Sequence, residues 1–418
     1  MRRWLCGLAL ILTLLGHSCL ADKPLFQFVP YTEPLPTLHG PTGTPGPTAV
    51  PTEEPAPQEE ELPYTLGAAA FPEEEGEAKK VLLSFLGDCN LGCNEIDHGK
   101  KKSLDYFIGQ YGYGYCFDRV RYILEQDELT VGNLECILSD TPDGLDAKTK
   151  KYYNFRAYES YVDILKQGSV EAVTVANNHI GDYGQPGFDA TARVLDAGGI
   201  GWFGSTEFGG QYYVYESAGV RIGFVGSYKS YYWLHVEEME ELFRRLREDE
   251  GCQVIIGVIH CGVEYDKRHD DNQVKIARKF IRWGADIVVG QHPHVLQGYE
   301  VLEGAPVYYS LGNFVFAGNF QVKAKYTAIL QLALSFGEDG SYLGSRANFI
   351  PCRLSEHHEI NYYQPYPVTG TDAQRAIRQI QYDTRDPWRI RDYVEGVGAM
   401  QDFIPAVDHD QITGGTDE

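Results

Sequence analysis

Five short apolar runs in this chain each end at a residue that can ligate a metal ion. Runs of this length, separated by segments long enough for helices, are typical of buried parallel strands. In open α/β sheets, ligands bind beyond the carboxyl ends of the strands. The runs end at Asp88, Glu135, Asn178-His179, His260 and His292-Pro293-His294. The sequence therefore predicts a metal site assembled along one edge of a sheet.

The order of the elements limits the fold class. Strands and helices alternate through the first two-thirds of the folded region, and consecutive strands follow. This order predicts an α/β (α+β-like) fold in which two mixed sheets pack together as a β-sandwich flanked by helices. Strands are predicted over 81–88, 129–133, 172–176, 212–216, 220–227, 254–260, 287–290, 298–302, 307–311, 327–336 and 343–351, and helices over 119–126, 158–167, 187–197, 236–249, 272–283 and 372–381.

The first 79 residues are predicted to lie outside the folded domain. Residues 1–21 combine two arginines, an apolar stretch and small residues, which is typical of a secretory signal peptide cleaved after Ala21. Cys19 leaves a lipid-modified amino terminus as the alternative. Residues 22–79 contain 12 prolines, 11 acidic residues and two lysines, a composition that favours a disordered tether.

The rest of the chain divides into a domain and a tail. The folded domain is predicted over residues 80–354, and residues 355–418 are predicted to wrap around it before ending in a polar tail. This layout indicates a protein secreted to the extracellular face of the cell envelope, either released or tethered through its amino terminus. The formal net charge of -23 argues against nucleic acid as a partner.

The cysteines do not form a recognisable framework. Two of the nine lie in the predicted signal peptide, and the other seven include no C-x-x-C pair. Their density is too low for a disulfide scaffold. Buried thiols and a disulfide from Cys89 to either Cys93 or Cys116 are the alternatives.

The segment His292-Pro293-His294 is the sharpest single motif. A residue before proline is pushed towards extended geometry, and alternate residues of an extended chain face the same way. The two imidazoles are therefore expected to converge on one site. Neutral imidazole is a common ligand for zinc, manganese and iron.

Each of the other candidates also has an ordinary structural interpretation. Asp88 and Glu135 would supply anionic oxygens to neighbouring cations, but either alone can be a cap or turn residue. Asn178 offers a carbonyl oxygen, although asparagine after a strand is common in turns. His260 ends the most apolar run and can equally be a buried histidine bonded to backbone. Asn313 can be a turn between strands.

Taken together, the motifs resemble one known family. They are Gly87-Asp88, Asn133 to Glu135, Ala176 to His179 with Asp182 to Gly184, His260 to Tyr265, Gly290 to Gln297, and Ser310 to Val315. In this order, over roughly residues 80–351, they resemble the bacterial CapA family of poly-γ-glutamate capsule-synthesis proteins. The domain of that family is similar to the calcineurin-like metallophosphoesterases. The resemblance thus implies a metallophosphoesterase-like sandwich.

The resemblance also implies roles for individual residues. Asp88, Glu135 and His294 would hold one divalent ion, and Glu135, Asn178, His260 and His292 a second, with manganese, zinc or iron as the candidates. His179 would contact the substrate or protonate the leaving group. Further residues expected to contact the substrate or support the ligands are Asn90, Asn133, Asn177, Glu264, Tyr265 and Asn313.

One position departs from the family pattern. The usual aspartate-x-histidine of the first motif is Asp88-Cys89-Asn90 in this chain. Loss of that imidazole weakens the first metal position, so one or two bound ions are both consistent with the sequence.

Two functions from different classes follow from these features. The leading hypothesis is a metal-dependent hydrolase that acts on a phosphoester or an envelope polymer, with His179 as general acid. The alternative is a non-catalytic component that binds an anionic polymer or scaffolds a membrane synthase complex. Such a surface should present clustered lysines, and Lys100 to Lys102 and Lys148 to Lys151 are the obvious clusters.

Overall fold

A computed structural model describes residues 64, 67–141, 152–217, 219–384 and 390–412. The predicted signal peptide, residues 22–63 of the predicted tether, the lysine cluster 148–151 and the last six residues lie outside these ranges. Across the described ranges, no helix has both the length and the apolar composition needed to cross a membrane.

Within these ranges the chain forms nineteen strands and eight α-helices. The strands are β1 (Lys79–Asn90), β2 (Leu129–Leu134), β3 (Ile137–Leu138), β4 (Arg156–Ala157), β5 (Ala172–Thr174), β6 (Gly201–Thr206), β7 (Gly209–Gln211), β8 (Tyr213–Ser217), β9 (Val220–Tyr228), β10 (Val254–His260), β11 (Ile287–Gln291), β12 (Tyr299–Leu302), β13 (Ala305–Tyr308), β14 (Asn313–Phe316), β15 (Tyr326–Phe336), β16 (Tyr342–Arg353), β17 (Tyr366–Pro367), β18 (Ala399–Met400) and β19 (Ile404–Pro405). The helices are α1 (Leu104–Tyr111), α2 (Arg121–Leu124), α3 (Val162–Gln167), α4 (Gly184–Gly198), α5 (Lys229–Tyr232), α6 (Val236–Glu248), α7 (Asp271–Arg282) and α8 (Gly370–Asp383). Short 3₁₀ turns lie at Ala68–Ala70, Glu95–Asp97, Tyr113–Cys116, Glu159–Tyr161 and His409–Gln411.

The larger sheet has the order β17-β16-β15-β1-β2-β5-β6-β7, with β14 also on β1 and with β18 and β19 on β16. Strands β1, β2, β5 and β6 are parallel, whereas β15 and β16 are antiparallel to their neighbours. The carboxyl ends of β1, β2 and β5 therefore meet at one edge of this sheet.

The smaller sheet has the order β12-β13-β11-β10-β9-β8. Its central strands β9, β10, β11 and β13 are parallel, and antiparallel strands close both sides. Strand β10 is buried along its whole length because the other sheet covers one face and helices cover the second. Gly257 lets α7 approach, since a Cβ there would lie 2.5 Å from the Phe280 ring.

The two sheets face each other across an apolar core. Phe85 and Leu330 of the larger sheet pack there with Phe224 and Val258 of the smaller one. A second core, which includes Leu165, lies between the larger sheet and helices α1, α3 and α4. A third core packs α6 and α7 on the outside of the smaller sheet. This confirms the predicted fold of two mixed sheets packed together and flanked by helices.

Element by element, the structure follows the sequence pattern with local differences. All eleven predicted strands and all six predicted helices correspond to observed elements, with ends shifted by a few residues. Helix α1 lies in a Tyr/Gly-rich segment with weak periodicity and was not predicted. The short elements β3, β4, β6, β7, β14, β17, β18, β19 and α5 were also missed, because two to six residues carry little pattern.

Segments on both sides of the predicted domain contact it. Tyr64 and Phe71 are buried, and the Tyr64 hydroxyl donates to the Val368 carbonyl (2.5 Å). The range 22–79 predicted as a tether thus includes residues that pack on the domain. After residue 355, α8 packs against β15 and β16, and three short strands extend the larger sheet.

The cysteines of the described ranges are all buried and form no disulfide there. Cys89, Cys93 and Cys116, which the sequence left open as a pair, are separate thiols.

Candidate metal centre

Asp88 lies near the carboxyl end of β1, where two strands approach closely. A Cβ at Gly87 would lie 1.9 Å from the Gly312 carbonyl oxygen, so only glycine fits beside it. The Asp88 N–H donates to that carbonyl (2.8 Å). Asp88 Oδ1 accepts hydrogen bonds from Asn133 Nδ2 (2.8 Å) and from the His292 N–H (3.3 Å). The carboxylate is thereby fixed in orientation at the sheet edge.

Glu135 follows β2 directly, and its carboxylate lacks donors. Both oxygens are buried, and neither accepts a hydrogen bond from any residue that the structure describes. Oε1 lies 3.7 Å from His260 Nε2 and 3.9 Å from His294 Nε2. Burial first, and then the charge of Asp88, raises the pKa of Glu135 well above its usual range. Leaving such a group unsatisfied costs about 1–3 kcal/mol or more.

His260, the last residue of β10, is the meeting point of several ligating atoms. Its Nε2 lies 2.7 Å from Asn178 Oδ1 and 3.0 Å from His292 Nδ1, in addition to the contact with Glu135. Its Nδ1 lies 3.2 Å from Asn133 Nδ2. Because Nε2 carries at most one proton, hydrogen bonding alone cannot satisfy all three neighbours. The arrangement has the donor set of a cation site.

The backbone of the H-P-H segment differs from our prediction. We predicted extended geometry at His292, and that prediction is wrong, because His292 has φ +100° and His294 has φ +59°. The ring centroids still lie 5.8 Å apart. This strained backbone is held by its surroundings: the His292 N–H donates to Asp88, and the Pro293 carbonyl accepts the Tyr265 N–H (2.7 Å).

The two histidines of this segment differ in their electrostatic environment. Burial, reinforced by His294, lowers the pKa of His292 to about 4. Burial also opposes protonation of His294, but Glu135 and the hydrogen-bonded Asp88 outweigh it and raise the pKa to about 9. His294 Nδ1 lies 3.0 Å from Asp88 Oδ2. In the metal-free protein, His294 therefore holds a proton at neutral pH and His292 offers a lone pair.

His179 lies beside this cluster and is oriented by Asp182. Its Nδ1 is 2.7 Å from Asp182 Oδ2, which also accepts the Phe155 N–H (2.8 Å). The Phe155 ring packs on the imidazole with 4.3 Å between centroids. His179 is also close enough to His292 to disfavour protonation of that ring. A carboxylate that accepts from Nδ1 directs Nε2 to the other side of the ring.

Asn177 supports the loop between β5 and α4. Its Oδ1 accepts the N–H groups of His179 and Ile180, both at 3.0 Å. Its Nδ2 donates to Asn133 Oδ1 (3.1 Å) and to the Leu134 carbonyl (2.8 Å). Asn177 therefore positions its neighbours, and its oxygen is already used.

Asn90 and Asn313 flank Asp88 on two strands. Asn90 Oδ1 accepts the Gly92 N–H (2.7 Å), and its buried Nδ2 has no hydrogen-bond partner in the described ranges. Asn313 pairs with Asp88 in the β14–β1 register, and its buried Oδ1 likewise accepts no hydrogen bond there. Asn90 thus directs its oxygen to its own loop, away from a ligand role.

Glu264 and Tyr265 form the solvent side of the cluster. Glu264 is exposed, and its charge contributes to the raised pKa of His294. Tyr265 has φ +61°, and its ring centroid lies 5.8 Å from that of His294. Lys323 Nζ lies 5.2 Å from the centroid of the Tyr265 ring.

Sequence reasoning missed several neighbours of the site. Asp182 stood in the D-Y-G motif, three residues after His179, and that spacing could have identified it as the partner of the imidazole. Phe155, Lys323 and Phe316, whose ring centroid lies 5.0 Å from that of His294, carried no signal in the sequence.

The residues present fit a divalent metal. In each of two groups that share Glu135, one ligand atom from each residue lies within 4.8 Å of the others. One group is Asp88, Glu135 and His260, and the other is Glu135, His292 and His294. This grouping divides the histidines differently from the resemblance, although both give Glu135 the bridging place. Imidazole nitrogens and carboxylate oxygens suit zinc, manganese and iron.

Comparison with known proteins assigns the chain to a family. The profile of the bacterial capsule synthesis protein family PGA_cap matches residues 82–318, more than half of the chain. The chain is 26% identical over 337 residues to the capsule biosynthesis protein CapA of Bacillus anthracis, covering 76% of each. It is 27% identical over 346 residues to the PGA biosynthesis protein CapA of Bacillus subtilis, covering 78% of this chain and 84% of that one. The chain belongs to the PGA_cap family of bacterial capsule synthesis proteins.

Among solved structures, a hypothetical protein from Thermus thermophilus matches 65% of this chain and 99% of its own, at 13% identity and a TM-score of 0.40. Likeness at this level does not bear on function.

Proposed function

We propose that this protein is a metal-dependent hydrolase that acts in the synthesis, export or processing of poly-γ-glutamate or a related anionic envelope polymer. One observation carries the proposal: the buried Glu135 carboxylate has no hydrogen-bond donor among the described residues and faces two imidazoles. A fold does not retain such a group for stability, because a buried carboxylate without hydrogen-bond donors is destabilising. A bound cation accounts for it.

Residues of the same cluster would hold the metal. Following the family resemblance, Asp88 and His294 would bind on one side of Glu135, and Asn178, His260 and His292 on the other. A divalent ion there would supply Lewis-acid activation of water and stabilise the charge that develops on the scissile group. Asn133 links the two sides, since its amide contacts both Asp88 and His260.

His179 is the proton donor of the proposal. Asp182 accepts the hydrogen bond from Nδ1, which stabilises the imidazolium and keeps Nε2 available to protonate a leaving group. The packed Phe155 ring limits rotation of the imidazole and shields it from water on that side. Phe155 and Asp182 therefore control the orientation and the protonation of His179, and neither would itself react.

An anionic substrate suits the solvent side of the centre. Lys323 is exposed next to the Tyr265 ring, which in turn lies beside His294. A carboxylate or phosphate that reached the centre would pass within range of this ammonium group. The names of the Bacillus relatives point to the polymer, whereas the resemblance to metallophosphoesterases points to a phosphoester.

The proposal includes the expected location. Secretion through the signal peptide of residues 1–21, with the domain held at the extracellular face by the tether, would bring the centre to the nascent polymer and to a membrane synthase complex.

The alternative function is a non-catalytic component that binds the polymer or scaffolds the synthase complex. One observation favours it: Asn90, in place of the family histidine, directs its oxygen to Gly92 and leaves the first metal position one ligand short. A single tightly held ion without turnover would suit this function.

The test compares metal content and turnover in matched variants. Protein purified without chelators is assayed against bis(p-nitrophenyl) phosphate and a γ-glutamyl oligomer. We expect His292→Ala to lose turnover and the metal bound at this centre. His179→Ala should keep the metal and lose about 10²–10⁴-fold in turnover, because only the proton donor is removed.

His358→Ala is the control, since that imidazole is exposed and is not among the proposed ligands. Wild-type turnover in a His292→Ala protein that has lost the metal of this centre would reject the hydrolase. Full metal content with polymer binding and no hydrolysis of either substrate would favour the alternative.

A further inference from the structure

We propose a second metal site, suited to zinc and formed by Cys93 and His98 of the loop that follows β1 and Asp105 of the first turn of α1. One ligand atom from each of these residues lies within 4.8 Å of the other two. None of them belongs to the centre built around Glu135. The three residues come from one short stretch of chain, C-x₄-H-x₆-D, which a single ion would close into a loop.

The His98 ring supports a ligand role directly. Its side chain is 8% exposed, and its buried Nε2 has no hydrogen-bond partner in the described ranges. Its Nδ1 lies 2.9 Å from Asp105 Oδ2. That distance suits two ligand atoms of one ion, which would replace the hydrogen that they share. The buried ring is held with Nδ1 towards Asp105, and Nδ1 is therefore its ligand atom in this group.

Asp105 is organised in advance of any ligand. Its Oδ2 also accepts the Gly99 N–H (2.7 Å), and its Oδ1 accepts the Tyr161 hydroxyl (2.7 Å). Burial opposes ionisation, but the hydrogen bonds from His98, Tyr161 and Gly99 outweigh it and keep the pKa of Asp105 below its usual range. The carboxylate is therefore rigid, and its Oδ2 can ligate an ion together with His98 Nδ1.

Cys93 supplies the soft ligand that distinguishes this site. The thiol is buried, and the Cys93 N–H and carbonyl both pair with the Arg156 main chain at 3.1 Å. Binding displaces the thiol proton to solvent. Burial opposes this step by raising the pKa of Cys93 to about 12, and a divalent cation bound to the thiolate compensates. A sulfur, nitrogen and oxygen donor set favours zinc, whereas manganese prefers oxygen-rich sites.

An ion here would stabilise the segment that packs beside His179. Within the loop, Glu95 forms a bidentate ion pair with the buried Arg156, with N···O distances of 2.7 and 2.9 Å. The preceding residue, Phe155, carries the ring that packs on His179. Fixing residues 93–105 thus fixes the strand that positions the proposed proton donor. The role is structural, and the site does not depend on the hydrolase proposal.

The test uses cobalt, because thiolate-to-cobalt charge transfer absorbs in the near ultraviolet and reports sulfur ligation alone. The full-length protein is stripped of metal, loaded with Co²⁺ and titrated. We expect the charge-transfer band in the wild type and in His292→Ala, and its loss in Cys93→Ser and in His98→Gln. Zinc content should fall by one equivalent in the last two variants.

Cys252→Ser is the matched control, since Cys252 is an equally buried thiol on the other side of the molecule. Circular dichroism establishes that each variant is folded. Absence of the band in the wild type, or its persistence in Cys93→Ser, would overturn the second site. Loss of the band only in His292→Ala would assign the sulfur contact to the main centre and also overturn it. Loss of turnover with the band intact would concern the main centre alone.

Discussion

The metal centre and a second buried cluster both combine histidine with carboxylates, and they differ in how their polar atoms are satisfied. In the metal centre, Glu135 accepts no hydrogen bond from the described residues. In the second cluster, formed by His269, Glu300, Tyr309 and Asp383, the Asp383 Oδ2 atom accepts three: the His269 N–H (3.0 Å), His269 Nδ1 (2.9 Å) and the Gly298 N–H (2.9 Å). We call this second group the Asp383 cluster.

The rest of the Asp383 cluster is similarly closed. The Tyr309 hydroxyl donates to Glu300, and the His269 ring stacks on the Tyr309 ring with 3.9 Å between centroids. His269 Nε2 makes no hydrogen bond with the described residues, and it lies 3.7 Å from Glu300 Oε1. Residue type alone therefore does not identify a site. A buried charged group that lacks hydrogen-bond donors does identify one.

The largest expected effect is on the stability of the Asp383 cluster. Asp383→Ala leaves three buried donors without an acceptor, so we expect a loss of about 3–5 kcal/mol in the free energy of unfolding. Urea denaturation measures it, with the exposed Asp392→Ala as control. A loss below about 1 kcal/mol would mean that this cluster is not the closed structural unit described above.

The opposite result is expected at Glu135. In metal-stripped protein, Glu135→Gln replaces a buried carboxyl with an uncharged amide. The lower cost of burial offsets the lost attraction to His294, so the free energy of unfolding should change little. The same change should weaken metal binding at least about 100-fold, or about 2.8 kcal/mol. Titration calorimetry with Zn²⁺ and Mn²⁺ measures the affinity. If the wild type and Glu135→Gln bind metal with equal affinity, the proposed difference between the two clusters is wrong.

The third prediction concerns pH in the metal-stripped protein. The pKa of His292 is depressed to about 4 in the folded state, so stability should fall as the pH decreases from 6.5 towards 4, because the unfolded chain binds the proton more tightly. The pKa of His294 is raised to about 9, so stability should fall as the pH rises from 6.5 towards 9. Each slope is at most about 1.4 kcal/mol per pH unit.

Urea denaturation across this pH range measures the free energy of unfolding on the acid limb, below pH 6.5, and on the alkaline limb, above it. His292→Ala should flatten the acid limb and leave the alkaline one, and His294→Ala should do the reverse. If both limbs persist in both variants, the charges that control stability lie elsewhere.

The smallest expected effect is at the edge of the centre. Lys323→Ala should raise KM for an anionic substrate about 5-fold and leave kcat nearly unchanged, because an exposed ion pair contributes about 1 kcal/mol or less. Lys325→Ala, an exposed lysine two residues away, is the matched control. Identical steady-state kinetics in the two variants would remove Lys323 from substrate binding.

The sequence predicted the sheet edge well because strand patterns and ligand types coincide there. Asp88, Glu135 and His260 each follow an apolar run, and the carboxyl ends of parallel strands lie at the same edge of a sheet. The two-sheet fold followed from element order in the same way. The Asp383 cluster could not be predicted, since its hydrogen bond joins residues 114 positions apart with no shared motif.

The backbone at His292 and the role of Asn90 required the structure. A pre-proline residue favours extended geometry locally, and only the tertiary contacts with Asp88 and Tyr265 hold His292 at positive φ. Asn90 was expected near the substrate or ligands, but the direction of its amide depends on the Gly92 N–H. Side-chain orientation in loops follows from such contacts, which local pattern does not encode.

An anomalous-scattering experiment on crystals grown without chelators tests the central claim most directly. The account predicts a strong peak about 2.0–2.2 Å from a Glu135 oxygen and within bonding distance of His260 or His294. A map with no peak there, and with water or protein donors on both Glu135 oxygens, would contradict it.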